Sequence, residues 1–61
     1  TTPVEYLNRI RINYAKELLE NSTLSVKNIA QMCGFDDQYY FSRVFKKQTG
    51  ESPKLWKRDM N

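Results

Sequence analysis

The chain has no histidine and one cysteine, Cys33. The first absence excludes a Cys/His metal site and any nucleophile triad built on imidazole. The second leaves no internal disulfide to support a fold of 61 residues, a size at which only about 60% of the unfolded surface is buried. Glycine is confined to Gly34 and Gly50, so no glycine-rich loop can cradle a phosphate. No apolar run approaches the ~20 residues that span a bilayer. No signal-peptide pattern is visible, and a reducing cytoplasm is the simplest setting. No set of acid, base and nucleophile stands out, so the chain is read as a non-enzyme without cofactor or metal. No internal repeat, linker or low-complexity segment is apparent.

Acidic charge is also scarce, and unevenly so. The net charge is +3. Residues 1–37 carry four cations against five carboxylates, a balance of −1, while residues 38–61 carry six against two, a balance of +4. A one-sided basic patch suggests a polyanionic partner, with a solvated charged surface as the competing interpretation.

The segment Ser25 to Gln48 organises the chain. Ser25 caps a short helix over 26–33 whose apolar side is Val26, Ile29, Ala30 and Cys33, and Leu24 ahead of the cap can staple its first turn. Cys33 on that side reads as a buried thiol acting as a small hydrophobe. Ala30 is small where two helices must approach closely. Gly34 then suits a left-handed helix end, Phe35 supplies an apolar anchor, and Asp37 (or Asp36) caps the next helix. That helix spans 38–49. Phe41, Val44, Phe45 and Gln48 are assigned to its inner side, and Gln38, Tyr39, Ser42, Arg43 and Lys46 to its outer side. An amide, a phenol, a hydroxyl and cations suit base edges and phosphates. Two short helices around such a turn fit a helix-turn-helix, whose second helix lies in the DNA major groove.

The flanks supply two more helices. Thr2, Pro3 and Glu5 form a capping box with proline at the first helical position, opening a helix over 3–20. Val4, Leu7, Tyr14, Ala15 and Leu18 make one apolar stripe on it, with Leu19 at the edge, and Tyr6 and Ile10 make another. Two apolar faces imply two packing partners. Arg11 projects near the first stripe, either as a buried stem whose guanidinium reaches a carboxylate or carbonyl, or as a phosphate or partner contact. After Thr49-Gly50-Glu51, Ser52 and Pro53 open a last helix over 53–59. There Leu55 and Trp56 are expected to cover the core, Lys54, Lys57 and Arg58 to stay in water, and Asp59 to Asn61 to fray.

These residues together resemble the AraC/XylS family of bacterial transcription regulators. The resemblance covers nearly the whole chain. It rests on Pro3, Tyr6-Leu7, Arg11, Ala15 and Leu18-Leu19, then on Ile29-Ala30, Gly34-Phe35, Tyr40-Phe41, Ser42-Arg43, Phe45-Lys46, Gly50 and Ser52-Pro53. Trp56 stands where the family commonly has Tyr, and Lys57 where it has Arg. The resemblance implies the second of two helix-turn-helix units together with the helix that joins them. A first unit and a sensing domain then lie outside this sequence, which would account for the Tyr6 and Ile10 stripe. By position it implies that Gln38, Tyr39, Ser42 and Arg43 face DNA, and that Tyr40, Phe41 and Phe45 are structural.

The expected fold is all-α, a homeodomain-like three-helical core plus a C-terminal helix. The expected function is sequence-specific binding of double-stranded DNA within a transcription regulator. Gln38, Tyr39 and Arg43 are the candidates for base readout, since Gln matches adenine and Arg matches guanine through two atoms; Arg43 could instead hold a phosphate. Ser25, Lys27, Ser42, Lys46, Lys47, Ser52 and Lys54 are the candidates for the DNA backbone, aided by helix-start amides near Ser25 and Ser52. The competing function is a helical module that binds an acidic protein through the same basic face.

Overall fold

The computed structural model describes residues 2–59, with side chains as far as Lys57. Met60 and Asn61, expected to fray, and the side chain of Arg58, expected in water, lie outside the described residues. The architecture is all-α: α1 (Pro3–Asn21), α2 (Val26–Met32), α3 (Gln38–Thr49) and α4 (Pro53–Asp59). The long α1 packs against each of the other three helices, and α3 packs against α2 and α4.

Each helix starts and stops where its side chains compete with the backbone. The Thr2 hydroxyl accepts from the Glu5 amide at 3.1 Å, and the Glu5 carboxylate accepts from the Thr2 amide at 3.4 Å. This is a complete capping box with Pro3 behind it. The Ser22 hydroxyl donates to the Leu18 carbonyl at 2.6 Å where α1 ends. Ser25 caps α2 by accepting from the Asn28 amide at 3.1 Å.

The end of α2 is a Schellman motif. Gly34 has φ +91°, its amide donates to the Gln31 carbonyl at 3.1 Å, and the Phe35 amide donates to the Ala30 carbonyl at 2.9 Å. Asp37, not Asp36, then caps α3, accepting from the Tyr39 amide at 2.8 Å. The same device in its simpler form ends α3: Gly50 has φ +90° and donates to the Lys46 carbonyl at 2.8 Å.

The core is Ile12, Ala15 and Leu19 from α1, Ile29, Ala30 and Cys33 from α2 and its cap, Phe35 from the turn, and Phe41 and Phe45 from α3. Leu18, Leu24, Val26, Val44 and Trp56 close around it. A column of rings runs through the middle. Phe35 and Phe41 have centroids 5.2 Å apart, Phe41 and Phe45 5.8 Å, and Phe45 and Trp56 5.7 Å with an edge-to-face tilt of 81°. Such pairs add about 0.5–1.5 kcal/mol each beyond the area they bury.

Several expectations are corrected. On α1 the buried face is Ile12, Ala15 and Leu19; Val4, Leu7 and Tyr14 are exposed. The expected stripe lies to one side of the packed one, because apolar residues on a two-faced helix do not reveal which face is covered. Arg11 is half-buried, but its guanidinium meets no carboxylate or carbonyl among the described residues; it lies over the Phe35 ring, 5.6 Å from the centroid. Gln48, assigned to the inner side of α3, is exposed, and Ser42, assigned to the outer side, is half-buried. Tyr40 is about half exposed, with its ring 5.9 Å from Phe35. Leu55 is exposed and leaves the lid to Trp56, whose indole N–H is buried without an acceptor among the described residues. Lys57 is half-buried rather than wet: its ammonium donates to the Leu24 carbonyl, strapping α4 to the loop between α1 and α2.

Two stability predictions follow from this packing. Phe41 is fully buried between Phe35 and Phe45, so Phe41→Ala should remove about 3–5 kcal/mol, roughly all that a core of this size supplies. Thermal melts by circular dichroism should show a largely unfolded variant, and a midpoint within a few degrees of the parent would exclude Phe41 from the core. At Gly34 a Cβ would sit at positive φ and 3.1 Å from Arg11 Nε. Gly34→Ala should therefore cost more in the parent than in an Arg11→Ala background, where only the left-handed strain of about 1–2 kcal/mol remains. Chemical denaturation of the four chains measures this coupling, and additivity within about 0.3 kcal/mol would mean that Arg11 moves aside without loss.

Candidate nucleic-acid interface

Burying Phe41 and Phe45 fixes what α3 turns outward. Gln38, Tyr39, Arg43, Lys46 and Lys47 are exposed, Tyr39 to 80%. Ser42 sits half-buried at the margin of the same surface. The side chains of Arg43, Lys46 and Lys47 make no hydrogen bond or ion pair among the described residues. Lys46 and Lys47 occupy the last turn of α3, where cations complement the helix dipole. Asp37 stands at the other end, where its carboxylate fixes the first turn.

The remaining candidates lie on other elements. Ser25 and Lys27 are at the start of α2, both exposed; Ser52 and Lys54 are at the start of α4, half-buried and exposed respectively. Each serine already works as a cap: Ser25 accepts from Asn28 at 3.1 Å and Ser52 from the Leu55 amide at 3.3 Å. Each hydroxyl keeps its proton available to donate, while one helix-start amide at each site is already satisfied.

Two cations that sequence reasoning passed over join this surface. A groove runs between α1 and α3, with Arg9 and Lys16 on one wall and Arg43 and Lys47 on the other. Asn8, Asn13 and Gln48 add amides to it, and Val4 and Val44 add apolar patches. The Asn8 amide donates to the Tyr40 hydroxyl at 3.5 Å across the groove. Arg9 is exposed and, like Arg43, has no hydrogen-bond or ion-pair partner among the described residues. The Lys16 ammonium lies over the Trp56 ring, 5.6 Å from the centroid. Arg9 and Lys16 are two helical turns apart, so their spacing on one face of α1 was readable; the proximity of α3 was not.

Other chemistry finds little support here. No group of His, Cys, Asp and Glu among the described residues could hold a metal ion. Burial pushes the Cys33 thiol above its ordinary range, so it stays protonated and behaves as part of the core. No helix is long and apolar enough to cross a membrane among the described residues.

Comparison with known proteins gives a consistent result. A family model described as a helix-turn-helix domain matches residues 1–59. The HTH-type transcriptional activator RhaR of Salmonella heidelberg is 45% identical over 53 residues, which is 87% of this chain and 19% of that protein. RhaR of Cronobacter sakazakii matches to the same extent, and RhaR of Salmonella arizonae is 43% identical over 53 residues. The chain thus spans 19% of the length of these curated relatives. Among solved structures, the C-terminal domain of the two-component response regulator yesN from Fusobacterium nucleatum is similar with a TM-score of 0.89 and 35% identity, over 93% of this chain and 55% of that one.

Proposed function

The chain belongs to the AraC-type helix-turn-helix family of transcription regulators, and from that premise we propose that it binds double-stranded DNA with α3 in the major groove, within a regulator that works in the bacterial cytoplasm. The observation that carries this reading is the outward face of α3. It presents Gln38, Tyr39 and Arg43 beside the exposed cations Lys46 and Lys47, on a helix whose start is set by the Gly34 turn and the Asp37 cap. Gln38, Tyr39 and Arg43 read base edges. Gln38 matches adenine, Arg43 matches guanine, and Tyr39 offers a phenol and an exposed ring. Lys27, Lys46, Lys47 and Lys54 hold phosphates, and Ser25, Ser42 and Ser52 donate from their hydroxyls.

The outer stripe of α1 supports a second part of this reading. Tyr6 is 60% exposed and Ile10 49%. The pattern at Thr2-Pro3, with an aromatic at Tyr6, repeats at Ser52-Pro53 with an aromatic at Trp56. Trp56 covers the ring column of this unit. By the same logic Tyr6 covers the core of a preceding helix-turn-helix unit, and a sensing domain completes the regulator. This chain is then a half-module, joining helix plus second unit.

Arg43→Ala should keep the fold, since Arg43 is exposed and has no hydrogen-bond or ion-pair partner among the described residues, and should weaken DNA binding. A base reader is worth about 1–3 kcal/mol and its loss relaxes specificity at one position, whereas losing a phosphate contact weakens all sequences alike. Comparing the variant on a specific and a scrambled duplex separates the roles, and undiminished affinity for both removes Arg43 from the interface.

The half-module should also bind weakly and with steep salt dependence, because specific sites usually combine two units about one helical turn apart. With about four of Lys27, Arg43, Lys46, Lys47 and Lys54 engaged, these cations contribute a slope of log K against log salt near −3.5. The dissociation constant should be on the order of 10⁻⁴ to 10⁻⁶ M at physiological salt. Titration of a labelled duplex at several salt concentrations measures both. Nanomolar, salt-insensitive binding refutes the half-module, and no binding even at low salt favours an acidic protein partner.

A further inference from the structure

We propose that the groove between α1 and α3 receives one phosphate strand of the bound DNA, with Arg9 and Lys16 as backbone contacts supplied by α1. This rests on the DNA-binding reading above and adds a second helix to the interface. A helix lying in a major groove about 12 Å wide has a phosphate strand along each flank. On the flank facing α1, the exposed arc of α3 ends at Arg43 and Lys47, and the side chains across the groove from them are Arg9 and Lys16. A strand that contacts Lys47 therefore meets the α1 wall next.

The chemistry of the wall suits that strand. Arg9 and Lys16 are seven residues apart, about 10.5 Å along the helix axis, so the two cations meet different phosphates of one strand. Asn13 and Gln48 in the same groove are neutral donors that bond phosphate oxygens without reading sequence. Glu5 is the one carboxylate lining the groove among the described residues, and it is turned to the Thr2 amide at the start of α1. Lys16 is held over the Trp56 ring at 5.6 Å, so its position is set before any ligand arrives. Four cations around one groove repel each other, and a polyanion relieves that repulsion. An acidic protein segment offers negative charge as well. The continuity of the groove with the outward face of α3 favours the DNA strand.

The test is the salt dependence of binding to a labelled random duplex between 50 and 200 mM salt, for the parent chain, Arg9→Gln and Arg9→Gln/Lys16→Gln. The slope of log K against log salt should become shallower by about 0.9 for the single variant and about 1.8 for the double. The affinity lost across that salt range should shrink by about 3.5-fold per cation removed, equally for any sequence. Circular dichroism melts accompany each variant. Arg9 has no partner to lose among the described residues, so the single variant decides the question even where removal of Lys16 from Trp56 lowers the melting point. A parent that binds duplex DNA with an Arg9→Gln slope equal to its own overturns the groove while leaving α3 as the reader. Loss of polyglutamate binding in Arg9→Gln with an unchanged DNA slope assigns the groove to an acidic protein instead. A parent chain with no salt-dependent DNA binding overturns both readings together.

Discussion

The contact on which the rest of the fold depends is the one around Phe35. This ring follows the only left-handed residue between α2 and α3, and it is held from three directions. The Arg11 guanidinium covers it from α1 at 5.6 Å, Phe41 meets it from α3 at 5.2 Å, and Tyr40 meets it at 5.9 Å. The backbone of Gly34 lies so close to Arg11 that a Cβ there would stand 3.1 Å from Nε. Gly34 is thus required for its φ, and a Cβ there would in addition press on the Arg11 guanidinium. Arg11 resolves the cost of half-burying a cation by spending it on an aromatic face, which keeps α1 in register with the turn. The direction in which α3 leaves the turn, and so every side chain it presents outward, follows from this cluster.

From Phe35 the constraint is passed along α3 as a column of rings. Phe41 and Phe45 occupy its inner side one turn apart, and Trp56 closes the far end from α4. A small domain has few core positions, and aromatic rings fill them with large area and defined geometry. α4 is fastened by different means, the Lys57 ammonium on the Leu24 carbonyl and the Lys16 ammonium over Trp56. The buried Trp56 N–H has no acceptor among the described residues, which withdraws part of what its ring contributes.

Much of this was legible from residue types alone. Caps and turn glycines act over three or four residues, so Thr2 with Glu5, Ser25, Gly34, Asp37 and Ser52 could be placed without knowledge of the fold. The inner pair Phe41 and Phe45 follows from helical period in the same way. What could not be read depends on which surfaces meet. α1 carries apolar residues over most of its circumference, and hydropathy says how much area there is to cover, not which part is covered. Ile12 therefore belongs to the core while Leu7 and Tyr14 do not. Arg11 and Lys57 depart from expectation for a related reason: a long side chain reaches a partner that only the tertiary arrangement supplies. Ser42 and Gln48 show that a polar or apolar label on a wheel is less informative than the direction of the neighbouring helix.

The charge pattern makes the same point about function. Counted along the chain, the first 37 residues carry −1 and look indifferent to a polyanion. Counted on the surface, that segment delivers Arg9 and Lys16 to a groove already lined by Arg43 and Lys47, while Glu17 and Glu20 do not line it. A neighbouring strand of charge responds to what lies within about a Debye length, roughly 8–10 Å at physiological salt, and not to the sum over a stretch of sequence. A helix with no net charge can therefore present a basic wall. In that respect α1 acts on the interface in two ways, through Arg11 by holding the turn that aims α3, and through Arg9 and Lys16 by extending the positive surface beyond it.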